Sequence, residues 1–200
     1  MRVLRLNFQM ILLMTTALMF CLPSSSSCAR ATPFESPDPC SLSTLPSEIQ
    51  QRLKEDFGSW KVQASENLSE RARQTWDGKK PSGCPGIAVG LFQNVNTLSY
   101  ALLLVPVDHP NSGYRFVVFS RNAGQPSYAA TVVEKLDGHG AANYFVRKVP
   151  VKEFFSEESK KKFQAQATEA ILMVDSAEQE YGTEIYFWSN GRYRHEPADD

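Results

Sequence analysis

The sequence predicts an α+β domain in which N-terminal helices pack on a mainly antiparallel, twisted sheet that ends in a β-hairpin. Three observations support this prediction. Helical periodicity marks the chain between residues 45 and 78, apolar β-prone segments follow from Ile87, and an Asn-Gly turn stands near the C-terminus. Helices followed by neighbouring strands are typical of an α+β fold with an antiparallel sheet.

The first helix is predicted between Pro46 and Gly58. Pro46 suits the first turn of a helix, Glu48 favours the positive end of the helix dipole, and Gly58 follows the last periodic residue. Apolar side chains recur every four positions in one stripe, which consists of Leu45, Ile49, Leu53 and Phe57. The stripe needs an apolar surface to cover it.

A second, shorter helix is predicted to start at Asn67. The Asn67 side chain can cap the helix while Glu70 reaches back to the cap. The apolar face of this helix consists of Leu68, Ala72 and Trp76. Gly78 and Pro81 end it.

After Cys84 the pattern changes to apolar segments rich in β-branched and aromatic residues, separated by turns. The predicted strands cover residues 87–92, 98–107, 114–119, 127–136, 143–149 and 170–174. The last of these lacks polar alternation, which is typical of a buried strand. One further helix is predicted at residues 156–166.

The chain ends in its clearest hairpin. Asn190-Gly191 predicts a two-residue turn, because both positions must tolerate a positive φ. The turn sets Trp188 opposite Tyr193 and Tyr186 opposite His195. One face of the hairpin then carries Glu184, Tyr186, Trp188, Tyr193 and His195, and the other carries Ile185 and Phe187.

Three segments are predicted along the chain. Residues 1–31 are typical of a signal peptide, with Arg2 and Arg5 before a short apolar run and small residues at the cleavage positions. Residues 32–43 hold three prolines and are interpreted as a flexible tether, and residues 44–200 as a single domain. The apolar run is shorter than the roughly 20 residues of a comfortable membrane span. We therefore expect a periplasmic or secreted protein with no integral membrane span after cleavage.

A lipid anchor at Cys28 is the competing interpretation. Ser25, Ser26 and Ser27 stand directly before this cysteine, but the Leu that normally stands three residues before a lipid-attachment site is missing. Simple cleavage removes both Cys21 and Cys28. The remaining cysteines, Cys40 and Cys84, are then predicted to form one disulfide, because exported proteins fold in an oxidising compartment.

The charge of the mature chain argues against nucleic acid as a partner. Removal of Arg2, Arg5 and Arg30 leaves 18 basic residues against 22 acidic ones. A nucleic-acid-binding domain would carry a basic surface instead.

The loop between the first two predicted strands has the layout of a calcium loop without its charge. Calcium takes six to eight oxygen ligands, several of them carboxylates. The oxygens available here are neutral and belong to Gln93, Asn94, Asn96, Thr97 and Ser99. We therefore predict a polar hairpin loop and no metal, with a calcium-stabilised domain as an alternative.

Residues 84–107 resemble the strand–loop–strand element of FG-GAP-like repeats. The matching positions are Gly90, Phe92, Asn96, Tyr100 and Ala101. Leu91, Gln93, Val95 and Ser99 stand where acids would be expected, so the resemblance does not imply a calcium site. It covers about 20 residues and has no repeat elsewhere, so it implies no propeller. The whole chain resembles uncharacterised bacterial exported proteins, which implies a location but no activity.

No catalytic motif is assembled in the sequence. His109, His139 and His195 stand in or near different turns, and neither a Gly-x-Ser-x-Gly elbow nor a His-Glu-x-x-His pair occurs. Triads form in space, so a small hydrolase assembled from distant residues is kept as an alternative. The predicted function is a non-enzymatic exported binding or interaction domain without a cofactor.

The candidate binding site lies on the terminal hairpin. Tyr and Trp offer a large contact area with a polar tip and are enriched in binding hot spots. The candidate residues are Tyr186, Trp188, Arg192, Tyr193, Arg194 and His195. If they face solvent, they form a platform for an unknown protein or a glycan; the alternative is that this face packs on the first helix.

Overall fold

The computed structural model describes residues 38–78, 83–94, 96–121, 127–155, 167–177 and 182–198. The predicted signal peptide, Cys28, the tether up to residue 37 and the predicted helix at 156–166 lie outside these ranges. None of the helices in them is both long and apolar enough to cross a membrane.

The described chain is mostly β with some helix. Helix α1 is Ser47–Asp56 and helix α2 is Glu70–Gly78. The first sheet, sheet A, contains β1 Trp60–Val62, β2 Ile87–Gly90, β3 Ser99–Pro106, β4 Gly113–Ser120 and β5 Ala129–Asp137. The second, sheet B, contains β6 Tyr144–Pro150, β7 Glu169–Asp175, β8 Gly182–Ser189 and β9 Arg192–Pro197.

All strand pairs in both sheets are antiparallel, as the sequence predicts. Sheet A has the order β1-β3-β4-β5. Strand β2 pairs with the first half of β3, and β1 pairs with its second half. Sheet B has the order β6-β7-β8-β9. The strands therefore form two sheets rather than the one expected, and β1 had not been predicted from the sequence.

Strands β3 and β4 explain why two sheets form. Their residues are buried almost without alternation, which means that both faces of sheet A are covered. A single sheet with helices on one face would leave one of these faces in water. The second sheet covers it.

Alternate residues of each strand belong to different apolar layers. Between the sheets lie Ala101, Leu103, Val105, Tyr114, Phe116 and Val118 of sheet A with Val146, Ile171, Met173 and Tyr186 of sheet B. The α1 stripe shares a cluster with Leu102, Leu104, Val117 and Phe119 on the other face of sheet A. The apolar face of α2 shares one with Phe145, Leu172, Ile185 and Phe187 on the other face of sheet B.

The start of α2 differs from the prediction. Leu68 has extended backbone angles, so the helix begins after it and Asn67 belongs to a separate short turn. The Ser69 hydroxyl accepts the hydrogen bond of the Ala72 amide at 3.3 Å and is the actual cap. The predicted apolar face of Leu68, Ala72 and Trp76 is buried.

Candidate functional site

The terminal hairpin has the predicted register. Trp188 pairs with Tyr193, and Tyr186 pairs with His195, around a turn in which Asn190 and Gly191 both have positive φ. Strand β9 is the edge strand of sheet B, because it pairs with β8 on one side and no described strand pairs with its other side.

Tyr186 belongs to the core rather than to an open surface. It is 2% exposed, and its ring lies 4.9 Å from that of Phe116 on sheet A. This face of the hairpin is therefore covered by sheet A. The alternative predicted cover, the first helix, packs on the far face of sheet A instead.

The other aromatic residues of the predicted platform are half-buried. The Trp188 and Tyr193 rings meet edge to face at 5.0 Å, and Tyr193 packs against the inter-sheet core. Burial raises the pKa of the Tyr193 phenol, which stays neutral in the physiological range. These two rings therefore form the half-buried part of the predicted platform.

The arginines of the predicted platform lie on the opposite face of the hairpin. Arg194 stands opposite Phe187, whose side chain belongs to the cluster beneath α2. Arg192 is two positions away on the same strand and is exposed. Because successive residues of a strand alternate between faces, the structure separates Arg192 and Arg194 from the Trp188–Tyr193 pair.

His195 joins a polar network beside the core. The Glu184 carboxylate accepts a hydrogen bond from the Tyr186 hydroxyl at 2.9 Å, and its same oxygen lies 2.6 Å from His195 Nδ1. The imidazole also stacks on Tyr186, with ring centroids 5.4 Å apart. The His195 ring is therefore held by its own chain.

Glu134 on β5 faces the same network from sheet A and was missed in the sequence. Its carboxyl accepts a hydrogen bond of 2.5 Å from the Tyr114 hydroxyl, while its second oxygen, Oε2, is buried without a partner. Burial raises the pKa of Glu134, and the Glu184 carboxylate adds to the rise; the Tyr114 hydrogen bond and His195 oppose it. We call Tyr114, Glu134, Glu184, Tyr186 and His195 the hairpin cluster.

The remaining histidines do not join this cluster. His109 and His139 are exposed in the turns that follow β3 and β5. Among the residues that the structure describes, no hydrogen bond or ion pair links any two of the three histidines. His195 is the one that lies within ion-pair distance of an acid in the described ranges, Glu184, and the hydrolase alternative stays a prediction.

The loop between β2 and β3 is built as a turn. The Asn94 side-chain oxygen accepts the Asn96 amide at 2.9 Å, which closes a local turn. At its base, Leu91 N–H donates to the Glu169 carboxylate at 2.7 Å, and Lys148 pairs with the same carboxylate at 3.1 Å. Across the described ranges, no group of three or more His, Cys, Asp or Glu is placed to hold a metal ion.

The predicted disulfide is confirmed. Cys40 and Cys84 are bonded across a sequence separation of 44 residues. The bond ties the segment before α1 to the segment before β2. It forms part of the wall of a groove that had not been predicted from the sequence.

This groove, which we call the disulfide groove, has a volume of about 450 Å³. Four separate segments of the chain line it: Pro39, Thr44 and Leu45; Trp76; Gly83, Cys84, Ile87, Ala88 and Val89; and Val146, Arg147 and Lys148. Its walls are mostly apolar, and none of these lining residues is acidic. Small-molecule sites are typically concave, mainly apolar and about 300–1,000 Å³ in volume.

The two cations of the disulfide groove differ in their partners. Lys148 pairs with Glu169, as described above. Arg147 makes no ion pair or side-chain hydrogen bond with any described residue, and its Nε is buried. The groove thus combines apolar walls with one guanidinium that the described chain leaves unneutralised.

No protein-family model, curated protein or solved structure matches the chain. The FG-GAP-like resemblance of residues 84–107 stays a prediction. Function must therefore be argued from the chemistry of the sites.

Proposed function

We propose that the chain is an exported, non-enzymatic binding domain whose ligand site is the disulfide groove. The observation that carries this proposal is the pairing of an apolar concave surface with the unneutralised Arg147. Binding sites commonly combine such walls with a few polar groups that orient the ligand.

The disulfide groove fits this role better than the hairpin. Tyr186 is used in the core, and the polar groups of the hairpin cluster mostly bond to one another. A group that already has a partner must give it up before it can bind a ligand. Arg147 has no such partner to lose among the described residues.

Val89 supports an apolar ligand. It lines the groove and is 36% exposed, although valines are usually buried. Ile87, which is half-buried, adds apolar surface beside it, and the buried Leu45 and Trp76 line the groove as well. An apolar ligand would remove this surface from water, which is favourable in proportion to the area covered.

The disulfide supports a preformed site. Groove residues lie directly beside both of its cysteines, at Pro39 on one side and Gly83 on the other. The bond holds these two segments together before a ligand arrives. Binding then costs less ordering entropy than it would in an unlinked pair of segments.

The proposal is tested by titration of the purified, oxidised mature chain with a neutral solvatochromic dye such as Nile red. We expect saturable binding that Val89→Asp weakens about tenfold or more, because a charge in an apolar site must be desolvated. Val132→Asp is the matched control, since Val132 is a 50% exposed valine on β5 outside the groove. Absence of saturable binding, or equal effects of the two substitutions, would overturn the groove as the ligand site.

The non-enzymatic part needs its own measurement. Hydrolysis of a panel of p-nitrophenyl esters and glycosides should not exceed the rate in buffer. Turnover above that rate that disappears in His195→Ala would contradict the proposal and favour the hydrolase alternative. The exposed His109 supplies the control substitution, His109→Ala.

A further inference from the structure

We infer that the ligand of the disulfide groove is an amphiphilic monoanion: an apolar chain that lies along the groove and carries a carboxylate that pairs with Arg147. This inference rests on the proposed function, because it requires that the groove is a ligand site. It adds the charge and the chemical class of the ligand.

The position of Arg147 differs from that of other arginines in the chain. Arg52, Arg73, Arg115 and Arg121 each pair with a carboxylate, at 3.2, 3.6, 2.7 and 3.6 Å. Arg147 has a buried Nε and no described partner. Arg52, Arg73, Arg121 and Arg194 also have a buried Nε without a hydrogen bond, so the distinguishing features of Arg147 are its place in the groove wall and the lack of an ion pair with any described residue. Because buried donors are usually bonded, such a guanidinium at the wall of a groove is suited to a partner from outside the chain.

The chemistry of the guanidinium selects the head group. It presents planar, forked donors that match a carboxylate in a bidentate pair. None of the described lining residues is acidic, so no carboxylate among them competes for this position. The acceptor would have to come with the ligand.

The ion pair of Lys148 determines how many negative charges the ligand should carry. Its ammonium group pairs with Glu169 at 3.1 Å, and the same carboxylate holds the amide of Leu91 at 2.7 Å. Glu169 thus neutralises Lys148 and fixes the base of the β2–β3 loop. Among the lining residues that the structure describes, one positive charge remains without a counter-charge, which favours a monoanion over a dianion such as a phosphate monoester.

The walls select an apolar body for the ligand. Trp76 is packed edge to face on Phe145 at 5.4 Å and lines the same groove as Arg147. Val146, the neighbour of Arg147, extends the apolar wall along β6. A medium-chain fatty acid or a similar alkyl carboxylate combines both features.

The test compares three ligands with one chain length: decanoate, decanol and decylamine, all below their micelle concentrations. Binding is followed by the fluorescence of Trp76 in a Trp60→Phe/Trp188→Phe background and by calorimetry, at a pH well above the carboxylate pKa. We expect decanoate to bind about tenfold more tightly than decanol, since a hydrogen bond to a charged group is worth about that factor, and decylamine to bind most weakly.

Arg147→Gln should abolish the preference for decanoate and leave the affinity for decanol unchanged. Arg194→Gln is the matched control, because Arg194 also has a buried Nε on sheet B but does not line the groove. A second measurement needs no variant: rising salt should weaken binding of decanoate to the wild type but not binding of decanol.

The failures can be told apart. Equal affinity for decanoate and decanol, unchanged by Arg147→Gln and by salt, would overturn the inference but keep the groove as an apolar ligand site. Absence of binding by all three ligands would overturn the inference, and if the neutral dye also failed to bind, the proposed function would fall with it.

Discussion

The disulfide groove and the hairpin cluster differ in whether their charged side chains have partners. The disulfide groove lies where β2 of sheet A meets β6 of sheet B, and the hairpin cluster lies between β5 and the β8–β9 hairpin. In the hairpin cluster, Glu184 holds both Tyr186 and His195, and Glu134 holds Tyr114. In the groove, Arg147 has no described partner.

This contrast bears on how a binding site is found. The hairpin is rich in the residue types that dominate binding hot spots, but Tyr186 is used in the core and bonds to Glu184, and the unbonded Tyr193 hydroxyl and Arg194 Nε are buried. The groove has an ordinary composition, and its Arg147 has bonding capacity left over. If the groove binds a ligand as proposed, unused bonding capacity marks a binding site only where a concave apolar surface surrounds it.

The largest expected change in stability comes from removing the disulfide beside the groove. A Cys40→Ser/Cys84→Ser variant should lose about 4 kcal/mol of unfolding free energy, because the disulfide closes a loop of 44 residues. Urea titration followed by circular dichroism measures the change, and reduced wild type should behave like the variant. A loss of less than about 1 kcal/mol would mean that packing alone holds the groove walls together.

The next effect tests whether the hairpin side is core. Tyr186→Ala should destabilise the fold by about 3 kcal/mol, since it leaves a cavity next to Phe116 between the sheets. Trp188→Ala should cost clearly less, because Trp188 is only half-buried. Equal losses for the two substitutions would contradict the assignment of Tyr186 to the core and restore the aromatic platform.

Features encoded by neighbouring residues could be predicted from the sequence. The α1 stripe follows from four-residue spacing, and the hairpin register follows from the turn at Asn190 and Gly191. The disulfide follows from a count, because Cys40 and Cys84 are the cysteines left after the predicted signal peptide. None of these inferences needs distant parts of the chain.

Features that depend on distant contacts could not be predicted. The apolar runs of β3 and β4 show that both faces are buried but not that a second sheet provides the cover. The disulfide groove joins segments around residues 39–45, 76, 83–89 and 146–148. Arg147 looks like any polar residue of an alternating strand until those segments are placed around it.

A smaller loss of stability is expected from a substitution at Gly90, where β2 packs closely against side chains of sheet B. A Cβ atom on Gly90 would lie 2.6 Å from Phe92 and 2.8 Å from both Glu169 and Lys148. Gly90→Ala should therefore cost about 2 kcal/mol through overpacking. It should also weaken the ion pair between Lys148 and Glu169 at the groove.

The control for this substitution is Gly78→Ala. Gly78 ends α2, and a Cβ there would meet no atom within 4 Å. The substitution should be neutral or slightly stabilising, because alanine restricts the unfolded chain. If thermal melts showed the same loss of stability for both substitutions, the surroundings of Gly90 would not be tightly packed.

The smallest effect concerns pH and the hairpin cluster. Burial raises the pKa of Glu134 above its ordinary value of 4.5, so the folded state retains a proton that the unfolded state releases. The contribution of Glu134 to stability is therefore fully present below that value and is lost as the pH rises through the raised pKa. Glu134→Gln keeps a neutral side chain and should remove this loss.

The measurement is the unfolding free energy of wild type and Glu134→Gln across the acidic to neutral range, with the exposed Glu153→Gln as control. Glu184 and His195 also face Glu134, and Tyr114 and Tyr144 lie nearby with phenol pKa values raised by burial, so the phenols stay neutral throughout. The stability of the variant relative to wild type should increase with pH. A constant difference in unfolding free energy would mean that folding does not raise the pKa of Glu134. Glu134 would then be ionised with one oxygen unbonded, and the hairpin cluster would leave a charge without a partner as the disulfide groove does.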